Sequence, residues 1–215
     1  MVRAILREIE APGTGKTQTR RLAWSKREPS MSNRSTRASR SVGATEWLKL
    51  YRRWAAGERD VRLWVREAWA HVNAVGGPAK PGDSPQTTLY RATCHGAGIY
   101  RWRPSIHMPR WASRITLEVT DVRLQRLQEI VADDAIAEGI ERDSSAFMHA
   151  GWLVYDSPVC PTDGRPGFVT TDPVYSFASL WRSIHGPGAW EENPEVVAVS
   201  FRPHLRNIDE WGAAL

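Results

Sequence analysis

The sequence predicts an α+β domain, a small mixed β-barrel with flanking helices and loop insertions. Short segments with the two-residue alternation of strands are interspersed with segments of helical periodicity. Pro, Gly and Ser collect between the periodic segments, where they indicate loops. With 215 residues, 41% of them hydrophobic, the chain is long enough to bury the core of one domain. We therefore expect a single domain over residues 1–215.

The N-terminal third contains an ambiguous segment, a loop and a helix. Residues 2–9 are apolar enough for a short strand or a helical turn. Residues 25–43 are rich in Ser and Arg with little apolar content, which predicts a flexible loop. From Thr45, a capping residue, apolar side chains recur at helical spacing up to Gly57. This pattern predicts a helical insertion over residues 45–57.

Strand patterns cover four later segments, which are residues 61–65, 88–93, 115–122 and 195–201. In the third segment, alternation places Ile115, Leu117 and Val119 on one face and Thr116, Glu118 and Thr120 on the other.

Helices are expected over residues 127–138, closed by Gly139, and over residues 173–185, where Pro173 takes the first helical position. Residues 101–113 have no clear period and predict an ordered loop. No internal repeat is evident.

Charge is unevenly distributed along the chain. Residues 1–66 hold 16 Lys and Arg against 6 Asp and Glu, whereas residues 67–215 hold 13 against 18. A basic N-terminal third suits a phosphate-bearing partner such as RNA or a nucleotide, although solubilising charge explains it equally well. Most of the 11 tryptophans fall in apolar patterns, and one or two remain available to stack on a base.

No apolar stretch is long enough for a membrane span or a signal peptide, so we expect a cytoplasmic protein without a membrane partner. Cys94 and Cys160 have no neighbouring ligands at zinc-site spacing, which predicts free thiols and no metal.

The segment Gly13-Thr14-Gly15-Lys16-Thr17 superficially suggests a phosphate-binding P-loop. That motif requires a glycine five residues before Gly15, and Glu10 occupies the position. Its carboxylate would repel a phosphate, so we set the NTPase interpretation aside.

Several motifs in a shared order carry a family resemblance. They are Lys-Thr-Gln-Thr-Arg-Arg at 16–21, Leu-Trp-Val-Arg-Glu-Ala-Trp at 63–69, the Pro-Ser-Ile-His segment at 104–114 and Thr-Leu-Glu-Val-Thr at 116–120. With these motifs the chain resembles the ASCH domains of the PUA-like superfamily. The resemblance extends to the amidohydrolases that deacylate N4-acetylcytidine and is strongest to the larger phage and prophage proteins.

The resemblance implies a catalytic set with Thr19 as nucleophile, Lys16 as its base and Glu118 as proton shuttle. Desolvation and neighbouring cations such as Arg20 and Arg21 can lower the pKa of a lysine enough for it to act as a base. A helical turn would place Lys16 and Thr19, three residues apart, on one face. A carboxyl group can then protonate the leaving amine.

Four further residues are candidates for substrate binding, namely Arg20, Arg21, Glu67 and His107. The first hypothesis is therefore a cofactor-independent amidohydrolase that acts on N4-acylated cytosine nucleosides. The alternative is a non-catalytic PUA-like module whose basic N-terminal third binds RNA. The sequence leaves the oligomeric state and the preferred acyl chain open.

Overall fold

The computed structural model describes residues 2–25, 43–73, 77, 86–94, 100–143, 150–158 and 167–211. Residues 26–42, which make up most of the predicted flexible loop, lie outside the described residues, as does Cys160. Cys94 is a free thiol.

The described chain is an α+β structure built on an antiparallel sheet that curls into half of a barrel. Its four strands, in spatial order, are β1 (Gln18–Leu22), β11 (Glu195–His204), β7 (Thr116–Arg126) and β4 (Arg62–Trp64). The long β7 and β11 pair over ten register positions, with a bulge between Ser200 and Phe201. Such a bulge increases the local twist and helps a sheet to curl.

Three smaller antiparallel sheets surround the main sheet. They comprise β2 (Trp24–Ser25) with β3 (Gly43–Ala44), β5 (Trp69–Asn73) with β6 (Gln86–Tyr90), and β8 (Arg142–Asp143), β9 (Gly151–Leu153) and β10 (Val169–Thr170).

The described residues contain four α-helices, which are α1 (Val2–Glu10), α2 (Glu46–Ala55), α3 (Ala132–Ala137) and α4 (Pro173–His185). The ambiguous segment 2–9 is thus helical. Thr45 caps α2 by accepting from the Leu48 amide, and Asp172 caps α4 ahead of Pro173, as expected for these residue types. None of these helices is long and apolar enough to cross a membrane.

Two predicted elements differ in detail. The helix expected over 127–138 divides into a 3-10 turn at Leu127–Glu129 and the shorter α3. Residues 101–113, the predicted ordered loop, contain 3-10 turns at Ser105–His107 and Arg110–Ala112.

Thr116 is fully buried although alternation placed it on the polar face of β7. Its hydroxyl donates to the carbonyl of Arg206 at 2.8 Å, which satisfies the buried group.

Two core clusters hold α2 and α4 on the main sheet. The first joins α2, through Leu48, Leu50 and Trp54, to Val197 and Val199 of β11. The second joins α4, through Phe177 and Trp181, to α3 and to residues such as Val196. Because adjacent β11 residues belong to different clusters, the strand has apolar contacts on both faces. α3 and α4 are thereby fixed beside β1, at the edge of the sheet.

Candidate active site

The segment before β1 is attached to two helices. The backbone amide of Lys16 donates to the Ala4 carbonyl of α1, and that of Thr17 donates to the Ala137 carbonyl of α3, both at 2.9 Å. The Glu8 carboxylate accepts from the amides of Gly13 and Gly15. Lys16 therefore enters β1 at a fixed position between α1 and α3.

Lys16 forms a buried ion pair with Glu138, the residue that ends α3. Its Nζ lies 2.6 Å from Glu138 Oε2 and donates to the Glu138 carbonyl at 2.7 Å. Burial lowers the pKa of Lys16, and the charges of Arg21 and Arg20 lower it further, against the opposing effect of Glu138. The pKa of Lys16 therefore lies below the usual lysine value even though a carboxylate is next to it.

Arg20 connects this pair to a second carboxylate. Its guanidinium donates to Glu138 Oε1 at 3.2 Å, to Asp134 Oδ2 at 2.7 Å and to Gln18 Oε1 at 2.6 Å. Gln18 in turn donates to Asp134. The side chain of Arg20 is completely buried, so these bonds to the two Nη atoms replace much of its lost hydration, whereas Nε has no hydrogen-bond partner among the described residues.

Burial opposes ionisation of Asp134, yet its pKa is lowered. The charge of Arg20 and hydrogen bonds from Arg123 and Gln18 outweigh the burial effect. Asp134 is therefore held as a carboxylate that fixes Arg20.

The ion-pair network forms one wall of a cavity of about 420 Å³, a volume within the usual range for small-molecule sites. One face of α4 forms a further part of the wall, with Phe177, Leu180, Trp181, Ile184 and His185. The rings of Trp181 and His185 are in contact, with centroids 4.2 Å apart and planes tilted by 34°. A planar, partly polar ligand suits this combination of an aromatic wall and charged groups.

Tyr155 and His185 are further titratable groups of the cavity. The Tyr155 hydroxyl accepts from the Glu141 amide, and burial raises the pKa of Tyr155 to about 12. Burial and the charge of Arg21 lower the pKa of His185. Both side chains therefore favour their neutral forms near neutral pH.

The predicted helical turn between Lys16 and Thr19 is absent, because the chain is extended there and β1 begins at Gln18. Thr19 pairs with Val199 of β11 and does not line the cavity. Its hydroxyl is buried and has no hydrogen-bond partner. Arg20 and Arg21, predicted to bind substrate, both line the cavity.

The other predicted site residues lie elsewhere. Glu118 in β7 bonds to His204 at 3.1 Å, and neither side chain lines the cavity. Glu67 is buried, and its two carboxylate oxygens accept from Nε and Nη2 of Arg114 at 2.8 and 3.0 Å. His107 is exposed in its 3-10 turn. The carboxylate next to Lys16 is thus Glu138 rather than the expected Glu118.

Sequence reasoning missed Glu138 and Asp134. Both fall in the helix expected over 127–138, four residues apart, a spacing that brings two side chains to one side of a helix. The sequence feature that could have indicated close packing at this point is Gly139, which the pattern marks only as the end of a helix. It adopts φ +81°, and a Cβ there would lie 2.8 Å from Lys16 Cβ.

We expect Gly139→Ala to destabilise the protein more than Gly57→Ala. Both glycines have positive φ, which costs an L-residue about 1–2 kcal/mol. Only at Gly139 does the added methyl also meet Lys16; at Gly57 nothing lies within 4 Å. Chemical denaturation of both variants measures the difference, and equal losses of stability would argue against the close packing of Gly139 on Lys16.

Fold and site together define an α+β protein with a buried lysine–carboxylate pair at the wall of a small-molecule cavity. In the described part of the chain, no group of three or more His, Cys, Asp or Glu is arranged to hold a metal ion. Comparisons of the chain with family models, curated proteins and solved structures gave no match.

Proposed function

We propose that the protein is an amidohydrolase that removes the N4-acyl group from N4-acetylcytidine and related acylated cytosine nucleosides without a metal cofactor. The single observation that carries this proposal is the buried Lys16–Glu138 pair, 2.6 Å apart, in the wall of a cavity of nucleoside size. The choice of substrate rests on the resemblance of the sequence to ASCH domains. The curled antiparallel sheet with its flanking helices supports the PUA-like fold that the resemblance implies.

The proposed chemistry uses the pair to move one proton. Thr19 Oγ1 attacks the acyl carbonyl carbon, and neutral Lys16 accepts the hydroxyl proton. Glu138 relays this proton to N4 of the cytosine as the C–N4 bond breaks. Water then attacks the acyl-threonine, which releases the carboxylic acid and restores the hydroxyl. Glu138 thereby takes the shuttle role first assigned to Glu118.

Arg20 and Arg21 supply positive charge at the cavity wall. Because Arg20 is held by Glu138 and Asp134, it keeps one orientation and can stabilise negative charge that develops on the acyl oxygen without reorganising. The α4 aromatic wall provides a surface on which the cytosine ring stacks.

The buried hydroxyl of Thr19 supports a functional role for that residue. A buried hydroxyl without a partner costs free energy, so packing alone favours valine at this position. Thr19 lies between Gln18 and Arg20, whose side chains face α3, so its own side chain points to the other face of β1, and its hydroxyl reaches the cavity only if this edge strand slips by one residue or rotates.

Ultraviolet-monitored hydrolysis of N4-acetylcytidine in the presence of a chelator tests the proposal. Wild-type protein should release cytidine and acetate, and Thr19→Val should be folded, at least as stable as wild type, and inactive. Turnover by Thr19→Val equal to that of wild type would identify water as the nucleophile. Absence of turnover by wild type on every N4-acylcytidine tried would reject the amidohydrolase.

The pH dependence follows from the direction of the Lys16 pKa. Attack requires neutral Lys16, so kcat/KM should rise with pH as Lys16 loses its proton. Because burial lowers that pKa below its usual 10.5, the rise should be centred below pH 10.5. A rate that falls over the same range would show that Lys16 acts as a cation instead.

A further inference from the structure

Tyr155 is a titratable group of the cavity that takes no part in the proton relay from Lys16 to Glu138. Tyr155 and Glu141 both line the cavity, and the Glu141 amide donates to the Tyr155 hydroxyl at 2.7 Å. The hydroxyl oxygen is thus an acceptor in this bond, whereas the hydroxyl proton has no acceptor among the described residues. Tyr155 therefore has an unused hydrogen-bond donor at the cavity wall.

Backbone contacts fix this donor in position. The Tyr155 amide donates to Ser179 Oγ of α4 at 2.9 Å, and the buried Ser179 hydroxyl donates to the Ser176 carbonyl. The Glu141 carbonyl accepts from the Leu153 amide at 2.9 Å, so the peptide segment that donates to the Tyr155 hydroxyl is itself held. A ligand in the cavity therefore meets a donor that is already oriented.

The Tyr155 hydroxyl stays protonated over the pH range that the proposed reaction uses. Burial raises the pKa of Tyr155 to about 12, whereas burial lowers the pKa of Lys16 below its usual 10.5. The hydroxyl thus remains a neutral donor while Lys16 loses its proton. The bond from the Glu141 amide also polarises the hydroxyl, which strengthens its own donation.

Two cationic groups of the same wall are already committed to carboxylates. The side chain of Arg20 has no exposed surface, so its charge acts on a ligand only from a distance. Lys16 Nζ donates to both the carboxylate and the carbonyl of Glu138. Glu141, whose amide orients the Tyr155 hydroxyl, follows Glu138 in the chain by three residues, and both line the cavity. The uncommitted donor and the proton relay therefore belong to one part of the wall.

We propose that Tyr155 donates a hydrogen bond to the acyl oxygen of the substrate and stabilises the negative charge that develops there when the acyl carbon is attacked. This inference rests on the proposed amidohydrolase function and assigns the direct contact to the oxyanion. The hydrogen bond strengthens as the carbonyl oxygen becomes a tetrahedral oxyanion, because bonds to charged acceptors are stronger. Tyr155 keeps its proton throughout, so no covalent bond forms or breaks at its hydroxyl.

Steady-state kinetics of Tyr155→Phe on N4-acetylcytidine tests the proposal. The variant keeps the ring and removes the donor, so kcat should fall by about 10²- to 10³-fold, the usual loss for one oxyanion donor. KM should change by less than about threefold, because the bond is strong only in the transition state.

Tyr175→Phe is the matched control, because Tyr175 lies half exposed on α4 and does not line the cavity. Its kcat should stay within about twofold of wild type.

N4-thioacetylcytidine distinguishes a direct contact from a structural effect, because Tyr155→Phe also leaves the Glu141 amide without its acceptor. Sulfur is a weak hydrogen-bond acceptor, so the loss of kcat in Tyr155→Phe should be about tenfold smaller on the thioamide than on N4-acetylcytidine. A disturbed fold would reduce both rates by the same factor. Since both substrates are measured on one preparation, the ratio of the two losses is independent of the folded fraction.

Three results would overturn the role of Tyr155 and leave the amidohydrolase standing. They are equal losses on the two substrates, a rise in KM with unchanged kcat, and turnover by Tyr155→Phe like that of wild type. Absence of turnover by wild type on every N4-acylcytidine tried would reject both proposals, so the two failures are distinguishable.

Discussion

Glu138→Gln is expected to reduce kcat/KM for N4-acetylcytidine by about 10²- to 10⁴-fold, the usual contribution of a positioned proton-transfer group. The substitution keeps the size of the side chain, and the amide oxygen can still accept from either Arg20 or Lys16, but the amide nitrogen cannot accept from the other and the proton acceptor is removed. Lys16 also loses the neighbouring negative charge that opposes the lowering of its pKa. The change should therefore appear mainly in kcat, with circular dichroism like that of wild type.

Glu118→Gln is the matched control, because it makes the same substitution at the carboxylate that the sequence motif favoured. In the structure Glu118 bonds to His204, and both side chains are partly exposed. We expect the kcat/KM of this variant to stay within about twofold of wild type, the scatter usual for a surface polar substitution. A large loss in Glu118→Gln combined with normal turnover in Glu138→Gln would restore the original assignment.

The sequence predicts Glu118 as the carboxylate of the site, whereas the structure places Glu138 beside Lys16. This difference shows which features of the chain local sequence patterns can predict. Local signals placed α2, α4, β7 and β11 well, since caps, proline and alternation act within a few residues. The same reasoning predicted Lys16, Arg20 and Arg21 as site residues, and the structure places all three at the wall of one cavity.

The partner of Lys16 depends instead on which distant segment packs beside β1. Lys16 and Glu138 are separated by 122 positions in the chain, and no local pattern encodes that contact. Alternation in β7 made Glu118 conspicuous, whereas Glu138 follows a short helix where a charged side chain is unremarkable. The bend that brings Glu138 to Lys16 is visible in the sequence only as Gly139.

Arg20→Met should lower the free energy of unfolding by about 3–5 kcal/mol, the loss typical when one partner of a buried ion pair is removed. Arg20 is fully buried, and its guanidinium donates to both Glu138 and Asp134. Methionine fills much of the same volume, so the loss reports the two carboxylates left without their shared cation rather than a cavity. Urea denaturation at neutral pH measures the change in the free energy of unfolding.

Neutralising one of those carboxylates distinguishes this explanation from poor packing. The double variant Arg20→Met, Asp134→Asn removes one positive and one negative charge and keeps the buried Lys16–Glu138 pair, so part of the lost stability should return. Arg53→Met, at the exposed pair with Glu58, should leave stability unchanged because water already solvates both groups. If the double variant is less stable than Arg20→Met alone, the penalty arises from packing, and the network contributes hydrogen bonds rather than charge balance.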